Sequence, residues 1–419
     1  MRIKSNSPHL RIEKQGMAKK ILSALVGNYY LVVMFLYLLS LKMNSLRVGA
    51  VSAAIMLLIV GLYCLKFGIN LRVSKIEVFV VAYFAVSFFS VINYIKGEAS
   101  ISVFLQTFSN SLLPIVFFWC GQKNIIFSKK SYLIAYDICC MIGVYLLITK
   151  PRWYYMFCIS RGYSYTRLSA CFGSIVVGML SCIAIVFSFQ LIQNSKAIIW
   201  KMQFLLSCSF ALLSMQRSAW IVSFLAIMVF HYWLLKWHSI SIRHIVLELF
   251  IVIFALIVSK DYVMAVFTRW ILEHQVSGGS VWRMFDRSTQ WIAVISQSNW
   301  LTGSGLGLRG HRAAVAGVAD GDWIRLLCEI GIIGVFILLL IIYEAYKVRR
   351  YDLKRGLAPL MIISMLALQM IGSNVLEFQI IAPAFWMSVG QTAYISINMR
   401  QRRQTSSHEN ISAISASIP

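Results

Sequence analysis

Acidic side chains are scarce in this chain: 15 Asp and Glu stand against 39 Lys and Arg over 419 residues. Charge of either sign is thin, at 13% of residues, while 59% are hydrophobic and the mean hydropathy is +0.75. So little charge excludes an ordinary soluble globule. The short alternating segments of a transmembrane β-barrel are missing as well. Paired Cys-x-x-Cys or Cys/His spacings are also absent. The nine cysteines, an odd number, lie mostly in apolar runs (Cys64, Cys120, Cys139, Cys140, Cys182, Cys208) and behave there as small apolar residues. Neither a metal site nor a structural disulfide is expected.

What the chain has instead is a series of apolar runs of about 18 to 22 residues, enough to cross a hydrocarbon core of roughly 30 Å. Helices satisfy their own backbone where no water is available. The expected fold class is therefore all-α: a polytopic membrane protein with about twelve spans. These fall near 21–41, 48–65, 76–95, 101–121, 131–149, 169–190, 202–216, 218–235, 244–259, 323–346, 357–376 and 379–397. The basic start, residues 1–20, lacks a small-residue cleavage pattern after its long apolar stretch and reads as a cytoplasmic arm before an uncleaved first helix. The last residues, "SSHENISAISASIP", read as disordered within a tail over 398–419.

Charge decides how the apolar stretch 202–235 is divided. As one helix it would be about 50 Å long, and counting it once would move "KVRRYDLKR" and the "RQRR" tail to the outer side. Split into a hairpin with "MQRSA" at its tip, it leaves 24 Lys and Arg in the inner segments and 15 outside. Cytoplasmic loops accumulate positive charge, so twelve spans with both termini inside is the expected topology. The same bias, rather than nucleic acid, accounts for the net charge of +24. Two outer loops then stand out, 150–168 and the long 260–322. In the second, "WRMFDRSTQWIAVI" has helical spacing and predicts an ordered helix hugging the membrane.

Arginine distinguishes the two faces. Lysine exceeds arginine 14 to 10 inside, whereas ten arginines and two lysines mark the two outer loops and the hairpin tip. Arg152, Arg161, Arg167, Arg217, Arg269, Arg283, Arg287, Arg309, Arg312 and Arg325 run against the topological preference. A guanidinium offers a rigid fork that matches phosphate oxygens in pairs. Such a set suits either a phosphate-bearing ligand at the outer face or lipid headgroups.

The stretch "GSGLGLRGHRAAVAGVADGDWIRLLCEIGIIG" gathers the remaining candidates. Gly305-x-Gly307-x-x-Gly310 has the spacing of a dinucleotide fingerprint, but neither a preceding strand nor a βαβ unit surrounds it. Gly303, Gly305 and Gly307 instead permit a tight turn or close backbone approach. Asp320, His311 and Asp322 can take a proton near neutral pH, and Asp322 equally fits a helix cap. Glu329, inside the span, needs a partner, for which Arg325 at i,i+4 spacing is placed.

Taken in order, "LLSMQRSAWIV", an Arg-x-x-x-Trp from Arg287 to Trp291, "LTGSGLG" and "DGDWIRLLCEIGIIG" resemble the O-antigen polymerase and ligase superfamily of bacterial inner-membrane glycosyltransferases. "RLSACFGSIVVG", with ten residues between Arg167 and Gly178, is similar to the Arg-x10-Gly element of the polymerases. Ligases typically carry His-Asn where this chain has Asp320-Gly321, which favours the polymerase. The resemblance implies a GT-C-like, metal-independent reaction without a cofactor. An undecaprenyl-diphosphate-linked glycan is the donor and a lipid-linked repeat unit the acceptor, at the periplasmic face. It implies Arg167, Arg217, Arg287 and Arg283 as ligands of the diphosphate, and Asp320, His311 or Asp322 as the proton acceptor. Membrane lipid and a chain-length regulator protein are the other implied partners, and nucleic acid is not one. Alternatives are the ligase that transfers finished polymer to the lipid A core, and a flippase for the same lipid-linked sugars. The long 260–322 loop argues against the flippase.

Overall fold

A computed structural model describes the chain except residues 1–7, 44–46, 69–73, 91, 93–100, 162, 164–166, 196, 237–263, 265–267, 269–278, 310–320 and 417–419. At 8–16, 279–287, 400 and 402–416 it describes the backbone alone. Among the described residues there is no strand.

Helices α1 (Pro8–Gly27) and α2 (Tyr29–Ser40) meet at Asn28 with a bend of 50°. They stand where one span, 21–41, is expected. The Asn28 side-chain amide donates back to the Ala24 carbonyl at 3.1 Å, an acceptor it shares with its own backbone amide. Helix α3 (Val48–Phe67) and α4 (Lys75–Phe89) follow. Ser74 caps α4 by accepting from the Glu77 amide, the Ser-x-x-Glu arrangement that marks a helix start. The next span runs from α5 (Ile101–Thr107) to α6 (Val116–Gln122) through a wide turn at Phe108–Leu112 and a tight one at Leu113–Ile115. Pro114, which lacks an amide donor, sits at that irregularity.

Helix α7 (Lys129–Thr149), capped by Ser128, leads through α8 (Arg152–Arg161) to α9 (Ser174–Asn194). The expected loop 150–168 thus contains a helix. α10 (Ile198–Leu213) and α11 (Arg217–Lys236) are separated by three residues, so the stretch 202–235 is two helices with the turn where the sequence places it. Met215 takes a left-handed φ of 51° in that turn. α12 (Gly279–Ser296) covers the helical pattern expected in the long loop, and the expected span 244–259 lies outside the described residues. α13 (Asp322–Tyr346), α14 (Leu353–Gln369) and α15 (Ala382–Ala416) complete the chain.

Two boundaries correct the sequence reading. The span expected over 357–376 ends at Gln369, because Gly372-Ser373-Asn374 supplies turn residues before a short helix at Val375–Glu377. The tail expected to be disordered continues α15 to Ala416. No Gly or Pro interrupts it after Gly390, and lengthening an existing helix avoids the cost of nucleation.

Six helices among the described residues are long and apolar enough to cross a membrane, or seven if α1 and α2 form one bent span. They differ in role. The most apolar stretch of α9 is 78% buried and that of α3 only 22%, so α9 is the axis of the bundle and α3 its periphery. Tyr132 and Tyr136 of α7 bond to the Leu180 carbonyl and the Ser181 hydroxyl of α9, at 2.8 and 2.6 Å. α6 and α15 cross where Gly121 and Gly390 leave room for each other's backbone: a Cβ on either would collide with the Met387 or Phe118 carbonyl. Small residues at a crossing let membrane helices approach and gain packing. α4 lies along α13.

Candidate functional site

Helix α13 is broken. Gly331 has φ 75° and ψ 177°, dividing it into a first segment from Asp322 to Ile330 and a longer second one. Peptide groups freed by a break inside an apolar span cost several kcal/mol unless satisfied. Here the segment 299–309 satisfies them. The Ile332 amide donates to the Trp300 carbonyl at 2.9 Å, while the Ser304 and Gly305 amides donate to the Cys328 and Glu329 carbonyls at 2.8 and 3.0 Å. This insertion demands glycine at two places. Gly303 (φ 82°) and Gly331 both lie in the left-handed region, and a Cβ on either would strike a carbonyl across the contact, that of Glu329 or of Leu301.

The first segment of α13 carries a buried ionic cluster. Arg325 is fully buried and lies between Asp322 and Glu329. Its Nη2 and Nε donate to Asp322 Oδ1 at 2.6 and 2.9 Å, and its Nη1 to Glu329 Oε2 at 3.0 Å. The i,i+4 partner expected for Glu329 is therefore present. Each carboxylate spends its other oxygen on backbone: Asp322 Oδ2 accepts from the Leu376 amide at 2.5 Å, Glu329 Oε1 from the Arg309 amide at 3.0 Å. One guanidinium thus binds the segment after α14 to the glycine loop. Asn374 tightens the first of these connections, accepting from the Gly321 amide and donating to Glu377. The glycine loop also reaches α4, where the Leu306 amide donates to Ser90 Oγ at 3.0 Å.

A second cluster forms at the turn between α10 and α11. Trp220 Nε1 donates to the Ala211 carbonyl across the turn at 2.9 Å, and the Leu168 amide donates to the Leu213 carbonyl at 3.0 Å. Gly178 of α9 faces Gln216 and Ala219. Arg167, which precedes Leu168, and Arg217, which opens α11, are thereby held at the same end of α9, both half-buried. Gln369 at the end of α14 donates to Cys182 of α9 at 3.1 Å, and the next residue, Met370, accepts from the Trp323 amide. The turn and the α13 cluster therefore share one end of the bundle.

Of the other candidates, Arg283 and Arg287 lie on α12, whose Val294 packs with Cys328 of α13, about 10 Å along the helix from Arg287. Gly305 and Gly307 lie in the loop that caps the break. Asp320 and His311 lie outside the described residues. Asp322 is fully buried, and Gly321 occupies the cap position in front of it, so its carboxylate serves the ionic cluster rather than a cap. Asn374, Glu377 and the Arg309 amide were not singled out from sequence. The turn chemistry of Gly372-Ser373-Asn374 was the available signal for the first two. Compared with known proteins, the chain matches no protein-family model and no curated protein.

Proposed function

We propose that the chain is a polysaccharide polymerase of the O-antigen type, joining undecaprenyl-diphosphate-linked repeat units at the periplasmic face of a bacterial inner membrane. The observation that carries this reading is the convergence of Arg167 and Arg217. Two stretches picked out by sequence, Arg-x10-Gly and the "MQRSA" tip, meet through the Leu168–Leu213 hydrogen bond and the contact of Gly178 with Gln216. Twelve spans with both ends in the cytoplasm, and a GT-C-like arrangement, belong to the same proposal. In that topology the arginine-bearing end of the bundle faces outward.

The chemistry is a displacement at an anomeric carbon. The acceptor hydroxyl forms the new C–O bond, the bond to the lipid diphosphate breaks, and the diphosphate leaves with the electron pair. Arg167 and Arg217, with Arg287 and Arg283 from α12, neutralise that leaving group, the kind of charge stabilisation that dominates many enzymatic rate enhancements. The hydroxyl proton needs an acceptor. Both oxygens of Asp322 are engaged, so the role falls to Asp320 or His311. The buried cluster on α13 and its neighbour Asn374 hold Arg309 and Gly321, the described residues on either side of those two candidates.

A deletion strain tests the reading. Loss of a polymerase leaves lipid A core capped by one repeat unit. A ligase deletion leaves core without polymer while polymer stays on its carrier, and a flippase deletion abolishes export. Either of the last two patterns overturns the proposal.

A further inference from the structure

At the other end of the bundle the helices enclose a cavity of about 340 Å³. Its lining comes from the start of α7 and the loop before it, the last turns of α9, the first half of α14 and the first turns of α15. It is remote from the arginine cluster: along α9, Gln190 at the cavity is about 18 Å from Gly178 at the turn, and along α14, Arg355 is about 21 Å from Gln369. Its volume falls at the lower end of the usual range for small-molecule sites, about 300–1,000 Å³.

The lining divides by chemistry. Phe187 and Ile362 represent an apolar wall, Asn124 and Gln391 are neutral donors, and Lys129 and Arg355 are two cations contributed by different helices. No acidic residue lines it. Asp352 meets Arg355 at 3.5 Å, but the arginine side chain is 66% exposed and that contact is the weak, solvated kind. Among the described residues Lys129 makes no ion pair. Two cations and neutral amide donors in an otherwise mostly apolar lining suit a ligand with a phosphate head and a hydrocarbon body.

We infer that this cavity binds the phosphate of an anionic amphiphile, an acidic phospholipid of the leaflet opposite the arginine cluster, with Lys129 and Arg355 on the phosphate and the Phe187–Ile362 wall along the chain. The site is separate from the proposed transferase chemistry and does not depend on it.

The test is native mass spectrometry of the full-length, detergent-solubilised protein titrated with dioleoylphosphatidylglycerol, with dioleoylphosphatidylcholine and inorganic phosphate as parallel probes. The tightest phosphatidylglycerol adduct should weaken about tenfold in the Lys129→Ala/Arg355→Ala double variant, the loss of charge-assisted hydrogen bonds to one phosphate. It should persist in Lys129→Arg, and in Lys354→Ala, which removes a neighbouring cation that does not line the cavity. Thermal melting of each variant distinguishes lost binding from lost fold. Displacement of the adduct by millimolar inorganic phosphate supports the same two cations but assigns the site to free phosphate. Equal retention in the double variant, an equal loss in Lys354→Ala, or equal affinity for phosphatidylcholine overturns the proposal.

Discussion

The two clusters at one end of the bundle use arginine in opposite ways. Arg325 is fully buried, divides its donors between two carboxylates, and ties three chain segments together. Arg167, in a loop, and Arg217, at the first position of α11, are half-buried, where a guanidinium can still meet a ligand. The lesson is that position along a span decides what a cation costs. A charge enclosed at the start of an apolar helix has to be matched internally, and once matched it holds the fold. One at the rim costs less, and under the proposed function it is kept for chemistry.

The sharpest way to break that contrast is to remove a charge from each cluster. Arg325→Met should destabilise the protein by about 3–5 kcal/mol, because two buried carboxylates lose their common partner. Thermal melting in detergent and the amount of protein in membranes would register it. Retention of the wild-type melting temperature would mean that the cluster is not structural. Gly331→Val comes next. Its Cβ would meet the Leu301 carbonyl in a left-handed backbone, and a loss of roughly 2–3 kcal/mol is expected from strain alone. Cysteine accessibility at Ser304, in an S304C background, should rise as the loop leaves the break.

Arg217→Lys should do the reverse: leave melting unchanged while cutting polymer formation about tenfold, since lysine keeps the charge but loses the paired fork. Silver-stained polysaccharide ladders at matched protein levels measure this. Smallest is Met215→Gly. Relieving a left-handed non-glycine residue at the turn should stabilise by about 1 kcal/mol. If it instead abolished polymer, the turn itself, and not only the arginine beside it, would be part of the site.

The sequence made much of this legible because membrane solvation imposes strong patterns. Apolar run length located most of the described helices, six or seven of which are long and apolar enough to cross a membrane, and Lys and Arg counts split 202–235 at the turn now seen beside Met215. The Arg325–Glu329 pair followed from i,i+4 spacing. Three features were hidden. The break at Gly331 depends on a partner loop 30 residues away, and nothing local in "CEIGIIG" distinguishes a packing glycine from one that unwinds a helix. The second oxygen of Asp322 finds its donor 54 residues on, at Leu376, a pairing that periodicity cannot reveal. The cavity at the opposite end, likewise, is assembled from four segments, each of which reads as an ordinary span or short loop.

The central claim, that the rim arginines hold a lipid diphosphate while its glycan is passed on, is tested most directly by reconstitution. The purified protein would be incubated with the undecaprenyl-diphosphate-linked repeat unit extracted from the deletion strain, and both products followed: lengthened lipid-linked glycan and free undecaprenyl diphosphate. One diphosphate should be released per linkage formed, at a rate about tenfold lower in Arg217→Lys at equal melting temperature. Linkage formation without diphosphate release, or a wild-type rate in that variant, would contradict it.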